Sequence, residues 1–324
     1  MKAYAPTALR IEPREIVALQ DAQLAFAALV KHGQVRDPAA FYNEVRARGY
    51  ALNRAMHDVL ERGLSVAQVR ELVRDARRAY QRSTFVQRVS TWPRGYRGDF
   101  ETIASVMSMA NAHDPATPEH YIEQFILDTG MSQQHRNKMA AQAGVLMWGL
   151  SRDPAAKVLS IAAGAAPEFT GFIRYLRRDA QTVVLNDGEA EGLERALEGF
   201  TGSSFAPHLI PGNVFRRIPQ IERLGPYDCV VAGGLYDYLD ARAASLLTRV
   251  VLSRLLRQGG RFFFTNVAEN NPFRAWLDCI ADWPLVERSR DVLTAMVTDA
   301  ADDCFVSFER DATGLTEMVT VQRA

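Results

Sequence analysis

Asp187 ends an apolar run, Val183-Val184-Leu185-Asn186, and an earlier run of the same kind is Val158–Ala162. An acid at a strand end, about twenty residues beyond a first strand, is suited to accept hydrogen bonds from ribose hydroxyls. With Gly188-Glu189 beside it, Asp187 also fits a helix N-cap, and the two roles are compatible. Between the two runs, Ala162-Ala163-Gly164-Ala165-Ala166 is a turn of small side chains. Such a turn lets the backbone approach a ligand at the carboxyl edge of a sheet. Further on, Ile210-Pro211-Gly212-Asn213-Val214 offers a polar and an apolar side chain for the amino group and ring of a base, or is a plain loop. Tyr227–Ala232 is an apolar strand that stops at Gly233-Gly234 and then presents Tyr236, Asp237 and Tyr238. Those three could orient an acceptor. Alternatively Tyr238 and Leu239 pack the core while Asp237 caps the next helix. Taken together, these residues describe a site for a nucleoside-containing ligand.

The elements that must position them change character along the chain. Residues up to about 150 read as successive helices. Phe41, Val45, Leu52, Met56, Val59 and Leu60 recur at the spacing of one helix face behind Asp37-Pro38, an N-cap followed by proline. Ser65-Val66-Ala67-Gln68 has the form of a capping box for a helix carrying Val69, Leu72, Val73 and Tyr80. Thr117-Pro118-Glu119 opens another with Tyr121, Ile122, Phe125 and Ile126. No stretch before Lys157 alternates as a strand does.

After Asp153-Pro154, β-rich runs appear at Val158–Ala162, Thr182–Leu185, Asp228–Ala232, Arg261–Asn266, Cys304–Glu309 and Met318–Gln322. Helical segments at Phe169–Arg178, Glu189–Phe200 and Ala241–Arg257 lie between the first four. Alternating strands and helices predict a mostly parallel sheet covered on both faces. The last two runs flank the turn region Asp311–Gly314 and predict an antiparallel hairpin. The expected organisation is an α/β protein, with an all-helical lid or substrate domain over residues 1–150 and a Rossmann-like domain over 151–324.

Composition narrows the function. Lys plus Arg and Asp plus Glu both total 38, so the formal net charge is zero. Nucleic-acid binding leans on a surplus of basic side chains and is not expected. No apolar run is long enough to span a bilayer, and Met1-Lys2-Ala3-Tyr4-Ala5-Pro6 lacks the apolar core of a signal peptide, so a cytoplasmic location is expected. Cys229, Cys279 and Cys304 have no metal-type spacing, and the six histidines form no HxxxH pair. No metal is expected.

Trp92-Pro93-Arg94-Gly95-Tyr96-Arg97-Gly98-Asp99-Phe100, the turn with Ser160, Gly233-Gly234-Leu235-Tyr236-Asp237-Tyr238-Leu239, Gly259-Gly260-Arg261 leading to Asn266-Val267, and Asp282–Arg288 carry a family resemblance over roughly residues 90 to 324. The chain resembles bacterial class I S-adenosylmethionine (SAM)-dependent methyltransferases associated with making the methyl ester of 3-hydroxypalmitate. The resemblance implies SAM as cofactor. It places Ser160, Ala162, Gly164, Asp187, Gly188, Asn213, Val214 and Gly233 around it. Many class I enzymes carry an acid where Ser160 stands and glycine where Ala162 and Ala166 stand, so this turn leaves less room.

Tyr236, Asp237 and Tyr96 are the candidate catalytic residues, and Arg94, Tyr96, Asp99 and Tyr238 the candidates for contacting a small-molecule substrate. Arg94-Gly95-Tyr96-Arg97-Gly98-Asp99 suits a loop closing over an anionic ligand, or is a surface turn. Arg136 and Asn137, in the polar segment Gln133–Lys138, could reach a cofactor or substrate carboxylate, or lie on a solvated helix face. An aromatic face could steady a sulfonium by roughly 1–2 kcal/mol. The expected reaction is methyl transfer to oxygen or nitrogen of a small metabolite, leaving S-adenosylhomocysteine. Two other readings stay open. One is intramolecular cyclisation of SAM to azetidine-2-carboxylate and methylthioadenosine; the other is a non-catalytic SAM-binding sensor or partner subunit.

Overall fold

The computed structural model describes residues 11–31, 33–176, 180–203 and 205–324. The reading of Met1–Pro6, and of Arg177 and Arg178 in the first inter-strand segment, lies outside the described residues. Residue contacts divide the chain into two compact units. One holds the chain up to Gln133 with Asn270–Leu285, and the other holds Gln134–Glu269 with Val286–Ala324.

The first unit is helical, and no strand occurs among the described residues before Lys157. Asp37 accepts the Ala40 amide at 3.1 Å and starts the helix Pro38–Glu61, whose inner face is the apolar series read from the sequence. Ser65 and Gln68 form the capping box of Val66–Leu72. That helix does not run on to Tyr80. Val73 leaves helical geometry at φ −104° and ψ 22°, and a second helix covers Arg74–Tyr80. The segment 270–285 is stitched into this unit by Asn53, which accepts the Trp276 amide at 3.1 Å and donates to the Pro272 carbonyl at 2.7 Å. No helix among the described residues is long and apolar enough to cross a membrane.

The second unit is built on one seven-stranded sheet. Its strands are β1 Lys157–Ile161, β2 Thr182–Asp187, β3 His208–Pro211, β4 Tyr227–Ala232, β5 Leu256–Val267, β6 Cys304–Arg310 and β7 Thr316–Arg323, in the order β3-β2-β1-β4-β5-β7-β6. The first five are parallel, whereas β7 is antiparallel to β5 and to β6. This is the Rossmann-like sheet of the class I methyltransferase fold, with the expected C-terminal hairpin. The sheet order reverses direction beside β1, between β1 and β4, and ligands bind at such switch points outside the carboxyl ends of the strands.

Side-chain alternation explains the two buried faces. Leu159, Val184, Val230, Phe262 and Phe264 enter one apolar cluster, while their neighbours Val158, Val183, Leu185, Val231 and Phe263 enter the other. All six expected runs are strands. The seventh, β3, escaped notice because it is four residues long, ends in proline and pairs only with β2.

Two helical expectations and one loop reading need correction. Phe169–Arg178 is not a helix where described: short 3₁₀ turns stand at Pro167–Phe169 and Ile173–Tyr175, and Phe169 and Phe172 turn their rings into the core. Ala241–Arg257 is helical to Val250, passes through a π-turn at Val251–Leu255 and is already strand at Leu256. The stretch around Asn213 is not a plain loop, because helix Val214–Leu224 begins there.

Helix Gly130–Arg152 contains the division at Gln133/Gln134. Residues 134–150, grouped by sequence with the helical region, pack along β4. Gly149 sits so close to that strand that an added Cβ would lie 2.6 Å from Cys229 Cβ. One turn and more toward the helix start, Gln142 lies against Gly233, and Lys138 reaches Asp237. The buried face of this helix is apolar over the sheet, at Leu146 and Leu150, and polar beyond the end of β4, at Gln142, Lys138 and Gln134.

Candidate active site

The carboxyl ends of β1, β2 and β3 are laced together around Asp187. Its Oδ2 accepts the Gly164 amide at 2.8 Å, its Oδ1 accepts the Glu189 amide at 2.9 Å, and its carbonyl accepts the Gly212 amide at 2.7 Å. Helix Ala190–Gly199 starts from Glu189, so Asp187 sits just outside the cap and ties the helix entry to the turn after β1. Burial raises its pKa, and the two amides act against that rise.

The turn itself is left-handed three times, at Ala162 (φ 55°), Gly164 (φ 52°) and Ala166 (φ 48°). Two of the three are alanines, for which this region carries strain of order 1 kcal/mol or more each. The surrounding bonds, including the Ala163 amide to the Asn186 carbonyl at 3.0 Å, hold them there.

Ser160 is fully buried and donates its hydroxyl to Glu168 Oε1 at 2.6 Å. Glu168 was not among the expected site residues. Its carboxyl, buried and near Asp187, is pushed up to about 7 by loss of solvation, against the pull of the Ser160 hydroxyl. Neither Glu168 nor Asp187 forms an ion pair among the described residues. The signal available in the sequence was the pairing of a serine at a usual acid position with a glutamate at the end of the same turn.

Asn186, also unanticipated, donates to the carbonyls of Ile210 and Gly212 at 2.8 and 2.9 Å. Asn213 spends its side-chain carbonyl capping helix Val214–Leu224, accepting the Phe215 amide at 3.0 Å, and Val214 is buried beneath it. Gly188 is exposed with open space where a side chain would stand. Ser160, Ala162, Gly164, Asp187, Gly188, Asn213 and Val214 are thus brought to the ends of three adjacent strands.

A second group lies at the ends of β4 and β5. Tyr236 does not face an acceptor: its ring is fully buried, stacked on Phe264 at 4.4 Å, and its hydroxyl meets Thr248 at 2.9 Å. Asp237 is likewise turned inward. It accepts Lys138 Nζ at 2.7 Å and the Val267 amide at 2.7 Å, and the next helix is capped by Asp240 instead. Tyr238, by contrast, is 40% exposed. The sequence alternatives for this segment therefore exchange places, with Tyr236 in the core and Tyr238 outside. Arg288, buried, donates to the carbonyls of Tyr236 and Leu239 and to Asn266. Asn137 donates to Asp311 at 2.8 Å and Arg136 is half-buried.

Arg94, Tyr96 and Asp99 belong to the helical unit. Asp99 is buried, accepts the amides of Glu101 and Thr102, and pairs with Arg88 at 2.7 Å, which makes it the N-cap of the helix Phe100–Ser108. Arg94 stacks over Phe100 at 4.6 Å, and Tyr96 is 41% exposed.

No family model and no curated protein matches the chain. Among solved structures, a possible exported protein from Bordetella parapertussis superposes with a TM-score of 0.56 at 14% identity, over 98% of this chain and 99% of its own. A putative O-methyltransferase from Nostoc punctiforme PCC 73102 gives 0.47 at 15% identity, over 96% and 94%. The CurJ carbon methyltransferase gives 0.48 at 14% identity, over 96% and 92%. At these identities the first likeness is one of fold.

Proposed function

We propose that this protein binds SAM at the carboxyl ends of β1–β3 and transfers its methyl group to an oxygen, or a nitrogen, of a small metabolite, as one of the enzymes of specialised or signalling metabolism. The observation that carries this reading is the Asp187 carboxylate at the end of β2, held by the Gly164 amide beside the switch point of the sheet. A residue so placed suits a ribose diol. The buried Glu168 and half-buried Asp187 carboxyls, without a cationic partner among the described residues, suit a positively charged ligand, so the residues present fit the cofactor.

Bound there, SAM supplies a methyl group on an excellent leaving group, and the protein needs chiefly to align a nucleophile and exclude water. Asp187 would hold the ribose, and the small side chains of Ala162 and Gly164 would let the backbone approach. Val214 would offer an apolar surface to the base. A carboxylate acceptor needs no general base, consistent with the inward commitment of both Tyr236 and Asp237.

Titration calorimetry with S-adenosylhomocysteine tests the reading, and micromolar binding is the expected result. Absence of binding to both S-adenosylhomocysteine and SAM sinks it. Incubation with SAM alone then separates the reactions. Slow background release is expected of a transferase, rapid methylthioadenosine formation would establish the cyclase instead, and binding without turnover on any acceptor would leave a sensor.

A further inference from the structure

The polar end of the helix Gly130–Arg152 carries donors that the fold does not use. Gln134 is fully buried, and its Oε1 accepts the Thr316 hydroxyl at 2.6 Å, but its Nε2 has no hydrogen-bond partner. One turn further on the same face, Lys138 is 1% exposed. Among the described residues its ammonium has one acceptor, Asp237 Oδ2, although it carries three protons.

Both side chains are anchored at one place. Asp237 is held by the amide of Val267, and Val267 is the direct sheet partner of Thr316, which holds Gln134. The two donors therefore converge at the carboxyl end of β5, adjacent to the end of β4. Lys138 and Arg288 are buried here together with the carboxylates of Asp237, Asp311 and Glu317, and among the described residues Asp237 is the one that Lys138 reaches. An unused buried amide N–H is unfavourable unless a ligand satisfies it.

We propose that Gln134 Nε2 and the Lys138 ammonium receive a carboxylate at the carboxyl end of β5. A carboxylate has the acceptor pairs for both donors, and its bond to the ammonium is charge-assisted. Two sources carry this chemistry: the aminobutyrate carboxylate of the cofactor, and a carboxylate on the methyl acceptor. Both sources rest on the function proposed above; the carboxylate site itself does not.

The test uses the full chain and two variants, Gln134→Met, which removes the donor at similar volume, and Gln134→Glu, which replaces it with an acceptor. In the first arm, S-adenosylhomocysteine and methylthioadenosine, which lacks the carboxylate, are titrated in turn. In the second, octanoate and octanol are titrated into protein saturated with methylthioadenosine. A tenfold or greater weakening in both variants, confined to S-adenosylhomocysteine, assigns the group to the cofactor. The same loss confined to octanoate assigns it to the acceptor.

Equal affinity of wild type and variants for both carboxylates overturns the proposal. So does a loss that is as large for methylthioadenosine or octanol, since that reports a disturbed fold. Wild-type protein that binds neither nucleoside ligand defeats the function proposed above; octanoate, then titrated alone, still reads the carboxylate site.

Discussion

Lys138 Nζ donates to Asp237 Oδ2 at 2.7 Å, with both residues at 2% exposure or less. One comes from the helix before the sheet and the other from the turn after β4, 99 residues apart. Removing one partner of such a pair leaves a buried charge alone, a cost of about 3–5 kcal/mol. Lys138→Met should therefore lower the thermal midpoint sharply. Adding Asp237→Asn should restore part of it, because the Val267 amide keeps its acceptor. A double variant no more stable than Lys138→Met would show that the pair is not what holds these elements.

Gly233 leaves room for a side chain only if the tip of the Gln142 side chain moves. A Cβ there would lie 2.0 Å from Gln142 Nε2, and Gln142 is itself buried. Gly233→Ala should cost about 1–3 kcal/mol as an overpacked site. Gln142→Ala should relieve much of that cost in the double variant, giving a coupling measurable by denaturant unfolding. Simple additivity would contradict the close approach.

Glu168 makes stability pH-dependent in a stated direction. Its folded carboxyl titrates near 7, above the 4.5 ordinary for glutamate. The folded state therefore keeps a proton that the unfolded state has lost, and this contribution to stability is full below about 4.5 and disappears as pH rises through 7. Glu168→Gln, neutral throughout, should gain on wild type as pH increases, by on the order of 3 kcal/mol between pH 4.5 and 8. Thermal midpoints of the two proteins across that range provide the check; a constant gap would mean Glu168 titrates normally.

Asp187→Ala removes the acceptor for the Gly164 and Glu189 amides as well as the proposed ribose contact. S-adenosylhomocysteine affinity should fall at least tenfold, corresponding to about 1.4 kcal/mol or more. Calorimetry on the folded variant measures it, and unchanged affinity would place the ribose elsewhere.

Asp99→Ala should act on stability and not on cofactor binding. The carboxylate caps the helix Phe100–Ser108 and neutralises Arg88, so its loss should cost about 1–3 kcal/mol. The affinity for S-adenosylhomocysteine should stay within twofold of wild type; a tenfold loss would return Asp99 to the binding residues.

Much of this molecule was legible in its residues. Short β-rich runs specified six strands, and the central ones read as near-continuous apolar runs because a strand buried on both faces admits little but apolar side chains. Asp37 and Ser65 marked helix starts because capping is satisfied within one turn of chain, and Pro118 marked another because its fixed φ suits the first helical position. The acid closing β2 was legible for the same reason of locality. Strand β3 and the helix after Asn213 were not, because the strand is short and its neighbours decide its state.

What the residues could not state was direction. Tyr236 and Tyr238 are alike in type and two apart, yet one stacks on Phe264 and the other is exposed, because only the packed sheet determines which side of the turn is interior. The same holds for Ser160 and Glu168, and for Lys138 and Asp237. Local sequence determined the sheet and the acid at the end of β2. The partners of the buried polar groups, Glu168 with Ser160 and Lys138 with the distant Asp237, were decided by tertiary structure, since burial is a property of the neighbours that a residue acquires only on folding.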